Sequence, residues 1–251
     1  MSAELIESLL RLGDDRLVLG HRLSEWCGHA PIIEEDIALA NVALDCVGQA
    51  SDFLGLAGEL EGRGRDADAL AFFRGPTEFR NALLVEQPNG DFACTIARQV
   101  FFDAAGAHVL AQLALAKHKK LAAIAAKAAK EARYHVRHAR DWWLRLGTGT
   151  EESHRRLQAA VDELWPFTIE LVTPDALDAS LCAAGLGADL AATQLHFECE
   201  LAELFESAGL ERPPDPPYPP LGGRRGAHGE HLDHLLSEMQ SVARAHPGAT
   251  W

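Results

Sequence analysis

Basic residues are scarce in this sequence of 251 residues, which has 23 lysines and arginines against 37 aspartates and glutamates. The resulting formal charge of -14 argues against a nucleic-acid-binding protein, because such proteins need a basic surface. Long apolar runs are also missing: no stretch of about 18 apolar residues occurs, so no membrane-spanning helix is predicted. The N-terminal stretch has acids but no basic cluster, unlike a secretory signal, and the expected location is the cytoplasm.

Cysteine is present, but it lacks the spacing of a disulfide framework or a zinc site. The cysteines are odd in number, widely separated and form no C-x-x-C pair. They are Cys27, Cys46, Cys94, Cys182 and Cys199. Because most of them lie in apolar helical stretches, reduced and buried thiols are the predicted state.

Alternation of apolar and polar residues, the pattern of a β-strand, is absent, and apolar residues instead recur every three or four positions. This periodicity predicts an all-α protein, an antiparallel helical bundle with a four-helix core and appended helices. The predicted helices span Glu4–Trp26, Glu34–Glu61, Phe92–Ala116, Lys119–Leu146, Ser153–Leu171, Pro174–Ala184, Leu190–Ala208 and Glu230–Ala243. We expect a single domain over residues 1–251, with residues 211–227 forming an extended arm rich in proline and glycine.

The stretch Gly13–Ala50 organises the chain, because it holds the end of the first helix, a short break and most of the second helix. The apolar residues of the second helix cover almost the whole circumference from Ile37 to Leu60. A helix that is apolar nearly all round is buried among other helices. Its polar exceptions, Asn41, Asp45 and Gln49, lie on one side at four-residue spacing. That stripe has three possible interpretations: a metal ligand set, a partner surface or a solvated edge.

Acidic side chains on the long helices invite comparison with di-iron bundles, in which two helices each supply a Glu-x-x-His pair. Asp45, Asp103 and Glu131 lie on three of these helices, and His135 follows one turn after Glu131. The third residue after each acid is not histidine, so no ligand pair is complete. We therefore interpret these four residues as a degenerate metal site, and we predict no catalytic residue and no metal in this chain.

The first helix adds Asp15, or its neighbour Asp14, to these acids. Buried acids need cationic or hydrogen-bonding partners. We predict that at least one of Asp45, Asp103 and Glu131 pairs with a basic side chain in the core. The candidate partners are Arg16, Arg98, Lys130 and Arg133. Two alternatives stay open: the acids face water, or they form a working metal site with its own activity.

Polar residues near the C-terminus also suggest chemistry. His228, His231 and His234 follow a segment rich in glycine and arginine, and we expect them at the surface or at an interface rather than around a metal. The pair Arg224–Arg225 is interpreted as a solvated loop, with binding of a carboxylate or phosphate as the alternative. The basic face of the fourth long helix is either solvated or a docking strip for an acidic partner.

Five long segments of the chain resemble one protein family. They are RLGDDRLVLGHRLSEWCGHAP, EDIALANVALDCVGQA, LLVEQPNGDFACTIARQ, KEARYHVRHARDWWLRLGTGT and GAHGEHLDHLLSEMQ. In this order they resemble the phenylacetic acid degradation proteins, and among them the C-type subunits of ring-1,2-phenylacetyl-CoA epoxidases. The resemblance covers nearly the whole chain and is looser at Ala104–Lys117 and Pro213–Pro220.

The resemblance implies a ferritin-like fold and a non-catalytic, structural subunit of a multicomponent monooxygenase in aerobic phenylacetate catabolism. The implied partners are a homologous A subunit that holds the di-iron site, a small B subunit, and a reductase E subunit with flavin and an iron–sulfur centre. The catalytic ligands of the family belong to the A subunit, so none carries over to a residue here. The alternative is a metal-binding ferritin-like oxygenase subunit with its own active site.

Overall fold

Helices dominate the computed structural model of the chain, which describes residues 2–249. The helices are α1 (Ser2–Ser24), α2 (Ile33–Glu61), α3 (Ala67–Phe72), α4 (Leu83–Glu86), α5 (Phe92–Leu113), α6 (Lys119–Thr148), α7 (Glu151–Val172), α8 (Ala176–Ala184), α9 (Leu190–Ala208), α10 (Glu230–Met239) and α11 (Ser241–Ala245). Single 3₁₀ turns occupy Pro76–Glu78 and Gly223–Arg225. The chain is 74% helical, with no strand within residues 2–249, which confirms the predicted all-α, ferritin-like fold.

Local sequence explains where several helices begin and end. Asp91 accepts a hydrogen bond from the Cys94 amide at 3.0 Å, which caps the start of α5. Gly62 takes the left-handed conformation, with φ 68°, and closes α2. Helix α5 ends before its predicted end because the amides of Leu115 and Ala116 bond to carbonyls three rather than four residues back.

The chain divides into two compact units. The terminal unit comprises residues 2–88 and 222–249, and the central unit comprises residues 89–221. A single domain over residues 1–251 stays a prediction. The predicted arm, 211–227, contains no α-helix and one 3₁₀ turn near its end.

In the terminal unit, α1 packs along α2, and a glycine lets the two backbones come close. A Cβ atom at Gly13 would lie 2.7 Å from the Leu54 side chain, so a larger residue there would collide with α2. Leu9, Leu19 and Phe53 are fully buried. Helix α3 packs on α2, while α4 and α10 pack on α1, so the helix pair is the centre of this unit.

In the central unit, α5, α6, α7 and α9 each pack against the other three. The short connections between α5, α6 and α7 place neighbouring helices antiparallel. The four helices share a cluster of aromatic rings in edge-to-face pairs: Phe101, Trp143, Trp165 and Phe205. The Trp143 indole N–H donates to the Leu204 carbonyl at 2.9 Å, so the buried polar atom of this ring has its partner.

The five cysteines are all free thiols, as predicted, but they are not all buried. Cys46 and Cys94 are buried, whereas Cys27 and Cys199 are exposed. Cys27 lies in the turn after α1. Cys199 lies on the solvent-facing side of α9, so the apolar residues near it in the sequence do not cover it. The expectation of buried thiols was therefore wrong for Cys27 and Cys199, and Cys182 is partly exposed.

Helix α2 is not buried all round, contrary to the expectation from its apolar circumference. Four of its apolar side chains are 72, 57, 69 and 40% exposed, namely Ile33, Ile37, Leu44 and Val47. By length and hydropathy α2 also meets the criterion for a membrane-crossing helix within residues 2–249. Core helices pass the same test, and 44% of the tested window is buried here.

Candidate functional site

Two adjacent acids of α1 are the best-defined polar site of the terminal unit. The Asp14 side chain is completely buried and binds the Arg74 guanidinium through both carboxylate oxygens, with Nη1 at 3.0 Å from Oδ2. The Arg80 amide donates to the same carboxylate at 2.9 Å. Burial raises the pKa of Asp14 above its ordinary value, and the charge and hydrogen bonds of Arg74 oppose that rise.

Arg74 connects this acid to the irregular segment that follows α3. Its guanidinium also donates to the carbonyls of Leu70 and Glu78, and it lies 4.3 Å from the centroid of the Phe79 ring. The side chain is 3% exposed, so its charge is almost fully removed from water. A buried arginine of this kind holds its surroundings in one geometry, because each of its donors needs an acceptor in place.

Asp15, the second acid, binds the C-terminal part of the terminal unit. Its Oδ1 atom accepts from the Ala82 amide at 2.7 Å and from Nη1 of Arg224 at 2.8 Å. Arg224 also donates to the Arg80 carbonyl at 3.1 Å. Arg224 is therefore not simply solvated, because it binds a carboxylate of the same chain, whereas Arg225 is exposed. Binding of a further carboxylate or phosphate by this pair stays a prediction.

Glu86 is a second buried acceptor in the same unit, with its side chain 1% exposed. It accepts from Nδ1 of His228 at 2.8 Å, from Nδ2 of Asn81 at 3.1 Å and from the Gly229 amide at 2.9 Å. Nε2 of His228 lies 3.1 Å from the Phe79 carbonyl, so both ring nitrogens lie next to acceptor oxygens.

His228 is therefore not a surface residue, and its predicted surface or interface role is corrected: its side chain is 3% exposed. His231 is half-buried and His234 is exposed. The difference arises because His228 precedes α10 and turns toward α4, whereas His234 lies on the outer side of α10.

The four residues interpreted as a degenerate metal site are distributed over both units. Asp45 is half-buried on α2 in the terminal unit. Asp103, on α5, is buried in the central unit, and its Oδ2 atom accepts from Nε2 of Gln99 at 2.9 Å. On α6, Glu131 is half-buried and His135 is 4% exposed, one helical turn apart.

These residues do not fit a di-iron centre. Within residues 2–249, no three His, Cys, Asp or Glu side chains are grouped so that they could hold a metal ion. Tyr134, three residues after Glu131, is 67% exposed and thus faces away from the interior. The α1 acids are bound to guanidinium groups, which a metal ion would have to displace. That Asp45, Asp103, Glu131 and His135 descend from a metal site stays a prediction.

The polar stripe of α2 divides into separate environments. Asn41 is exposed, Asp45 is half-buried, and Gln49 is buried and accepts from Nε of Arg16 at 2.8 Å. Arg98, another of the proposed cationic partners, donates to Oδ1 of Asn89. Pairing of the core acids with Arg16, Arg98, Lys130 or Arg133 stays a prediction.

Sequence reasoning recognised the acids of α1 but missed the partners that bind them. Arg74 lies in a short connection and Glu86 at the end of the four-residue helix α4, and neither segment is long enough for helical periodicity to indicate burial. The available signal was the doublet Asp14-Asp15 within an apolar helix, because two such acids require two cationic partners elsewhere in the chain.

Taken together, the helices and the polar clusters define a ferritin-like bundle whose buried acids are used for ion pairs and hydrogen bonds. The chain belongs to the phenylacetic acid catabolic protein family, whose family model matches residues 1–251. It is 48% identical over 248 residues to the C subunit of the 1,2-phenylacetyl-CoA epoxidase of Escherichia coli (strain K12), and 99% of each chain is covered. The family resemblance deduced from the five sequence segments is thereby confirmed.

Proposed function

We propose that this chain is the non-catalytic, structural C-type subunit of a 1,2-phenylacetyl-CoA epoxidase that acts in aerobic phenylacetate catabolism. The observation that carries the proposal is the 48% identity, over the full length, to the C subunit of the Escherichia coli epoxidase. Its physical role is to present a stable helical surface that keeps the catalytic A subunit folded and competent. Obligate interfaces of this kind are large and apolar.

The interior of the chain supports a structural role. In the terminal unit, Asp14 and Asp15 are bound by Arg74 and Arg224, so these carboxylates already have cationic partners within the chain. Ion pairs buried to this degree stabilise a single geometry but offer no open coordination position.

The further components follow from the same proposal. The A subunit would hold the di-iron site and activate oxygen, the small B subunit would complete the complex, and the reductase E subunit would supply electrons through flavin and an iron–sulfur centre. This chain would hold no cofactor, and the complex would work in the cytoplasm. The acidic composition and the free cysteines are in keeping with that location.

The decisive experiment is co-purification with the A subunit, followed by metal analysis of each subunit and an epoxidation assay of the reconstituted complex. We expect a stable complex with iron in the A subunit and no turnover by this chain alone. The conservative variants Glu131→Gln and His135→Gln should leave the iron content and turnover of the complex unchanged.

The opposite result would favour the alternative, an oxygenase subunit with its own active site. Near-stoichiometric iron in this chain purified alone, lost in Glu131→Gln, would establish that alternative. Failure of the chain to bind any A-type subunit would refute the structural role itself. The two outcomes are distinguishable, because the first is read from the isolated chain and the second from the mixture.

A further inference from the structure

The exposed side of α2 departs from the expectation of a helix buried all round. Ile33, Ile37, Leu44 and Val47 fall within an arc of about 80° at 100° per residue. They extend over about 21 Å of helix at a rise of 1.5 Å per residue. Large apolar side chains that recur on one face and stay exposed indicate a surface that another protein covers. We call these four residues the α2 face.

Charge indicates what kind of partner the α2 face fits. Every charged side chain of α2 is acidic: Glu34, Glu35, Asp36, Asp45, Asp52, Glu59 and Glu61. Glu34 is exposed beside Ile33, at the start of the face. An apolar stripe bordered by acids fits an apolar stripe bordered by lysine and arginine, since opposite charges guide association and like charges oppose it.

A membrane surface or a second copy of this chain is a poorer match. Anionic lipid headgroups would repel the acids of α2. In a symmetric dimer formed through the α2 face, each acidic border would meet its own copy, which places like charges together. A helix of a different subunit, with basic residues beside its apolar stripe, avoids both penalties.

We propose that the α2 face is where the catalytic A subunit docks, through a helix whose apolar stripe is bordered by basic residues. This inference rests on the proposed function, and it adds the surface and the chemistry of the partner. The apolar side chains supply affinity, and the acids select orientation and speed the encounter.

The test measures binding of the purified A subunit to variants of the full chain. The double variant Ile37→Gln/Leu44→Gln removes the centre of the face with a residue that helices accept. Its matched control is Leu195→Gln, because Leu195 on α9 is 71% exposed and Leu44 is 69% exposed. We expect the double variant to weaken binding by at least about tenfold, as truncation of a central apolar contact does, and the control to bind like the unmodified chain.

A second pair of variants tests the charge argument. Glu34→Lys reverses an exposed acid in the first turn of α2, and Glu230→Lys makes the same change in the first turn of α10. Glu34→Lys should lower the association rate and reduce its dependence on salt, whereas Glu230→Lys should change neither. Circular dichroism of each variant verifies that the fold is retained.

Four results would overturn the inference. If the unmodified chain binds the A subunit and the α2 double variant binds equally well, the docking surface lies elsewhere and the proposed function stands. If Lys127→Glu/Lys130→Glu on α6 abolishes binding instead, the partner uses the basic side of α6. If the double variant abolishes self-association while A binding persists, a second copy covers the face. Absence of A binding by the unmodified chain would refute the proposed function as well.

Discussion

The substitution Arg74→Met isolates the contribution of the buried ion pair at α1. Methionine keeps a long unbranched side chain, so the packing against Phe79 is largely retained while the charge and all donors are lost. Asp14, with no exposed surface, then keeps only the amide of Arg80 among the donors described above. The expected effect is therefore the penalty of leaving a buried carboxylate without its cation.

Its magnitude follows from burial. Removing one partner of a buried pair lowers the free energy of unfolding by about 3–5 kcal/mol. The matched control is Arg63→Met, because the Arg63 side chain is 73% exposed and its nearest Glu61 oxygen is 3.8 Å from Nη1. A distant pair with a solvated cation contributes about 0–1 kcal/mol. The two arginines lie on either side of the short helix α3, and each substitution removes one positive charge. A difference between their effects on stability therefore reports on burial and not on charge alone.

The assay is urea unfolding followed by circular dichroism, together with hydrogen exchange at the Arg80 amide. This amide donates to the Asp14 carboxylate, so it reports directly on the site. If the free energy of the opening that exposes this amide falls by about 3 kcal/mol, its hydrogen exchange should accelerate by roughly 100-fold, since about 1.4 kcal/mol corresponds to a factor of ten. The amide of an exposed loop should not change.

The pH dependence gives an independent check with a definite sign. Burial already raises the pKa of Asp14, and Arg74 opposes that rise, so loss of Arg74 raises the pKa further. The folded variant then binds a proton more readily than its unfolded chain, so its stability deficit should shrink as the pH falls from neutral toward the acid range. An effect of Arg74→Met as small as that of Arg63→Met, or a deficit that grows on acidification, would refute this reasoning.

Two further predictions concern backbone approach and thiol chemistry. Gly147→Ala should lower the free energy of unfolding by about 1–3 kcal/mol, because the added Cβ would lie 2.6 Å from the Cβ of Ala208 on α9. Gly55→Ala, where the added Cβ meets no neighbour, should instead raise the free energy of unfolding by about 0.5–1 kcal/mol. Urea unfolding compares the two variants, and equal effects would contradict the packing argument. At neutral pH a maleimide should label the exposed Cys27 and Cys199, while Cys94, whose burial raises its thiol pKa to about 11, should react only after unfolding. Peptide mass spectrometry identifies the labelled sites, and rapid labelling of Cys94 in the folded protein would contradict the burial of this thiol.

The ion pairs of the terminal unit also explain two of the segments by which the family was recognised. The doublet in RLGDDRLVLG supplies both acids of the site, and LLVEQPNGDF supplies Glu86. In the central unit, the second of these segments continues with Asn89, which accepts from Arg98, and with Asp91, which caps α5. These polar residues serve to fix short connections, which have little apolar surface of their own.

The sequence by itself determined the helical class, most helix limits and the family. Period and capping residues are local properties, so Asp91 could be recognised as the start of α5 from its neighbours alone. The absence of a Glu-x-x-His pair after Asp45 or Glu131 is likewise readable from spacing, because residues three apart share one side of a helix.

Only the tertiary structure decided which polar residues are buried and which apolar residues are not. Arg74 lies 60 positions from Asp14 in the chain, and His228 lies 142 positions from Glu86, so no local pattern relates them. The exposure of Leu44 was equally unpredictable, since a helical period shows that a face is apolar but not whether another element covers it. Burial depends on which distant segments meet, and that is settled only when the chain packs.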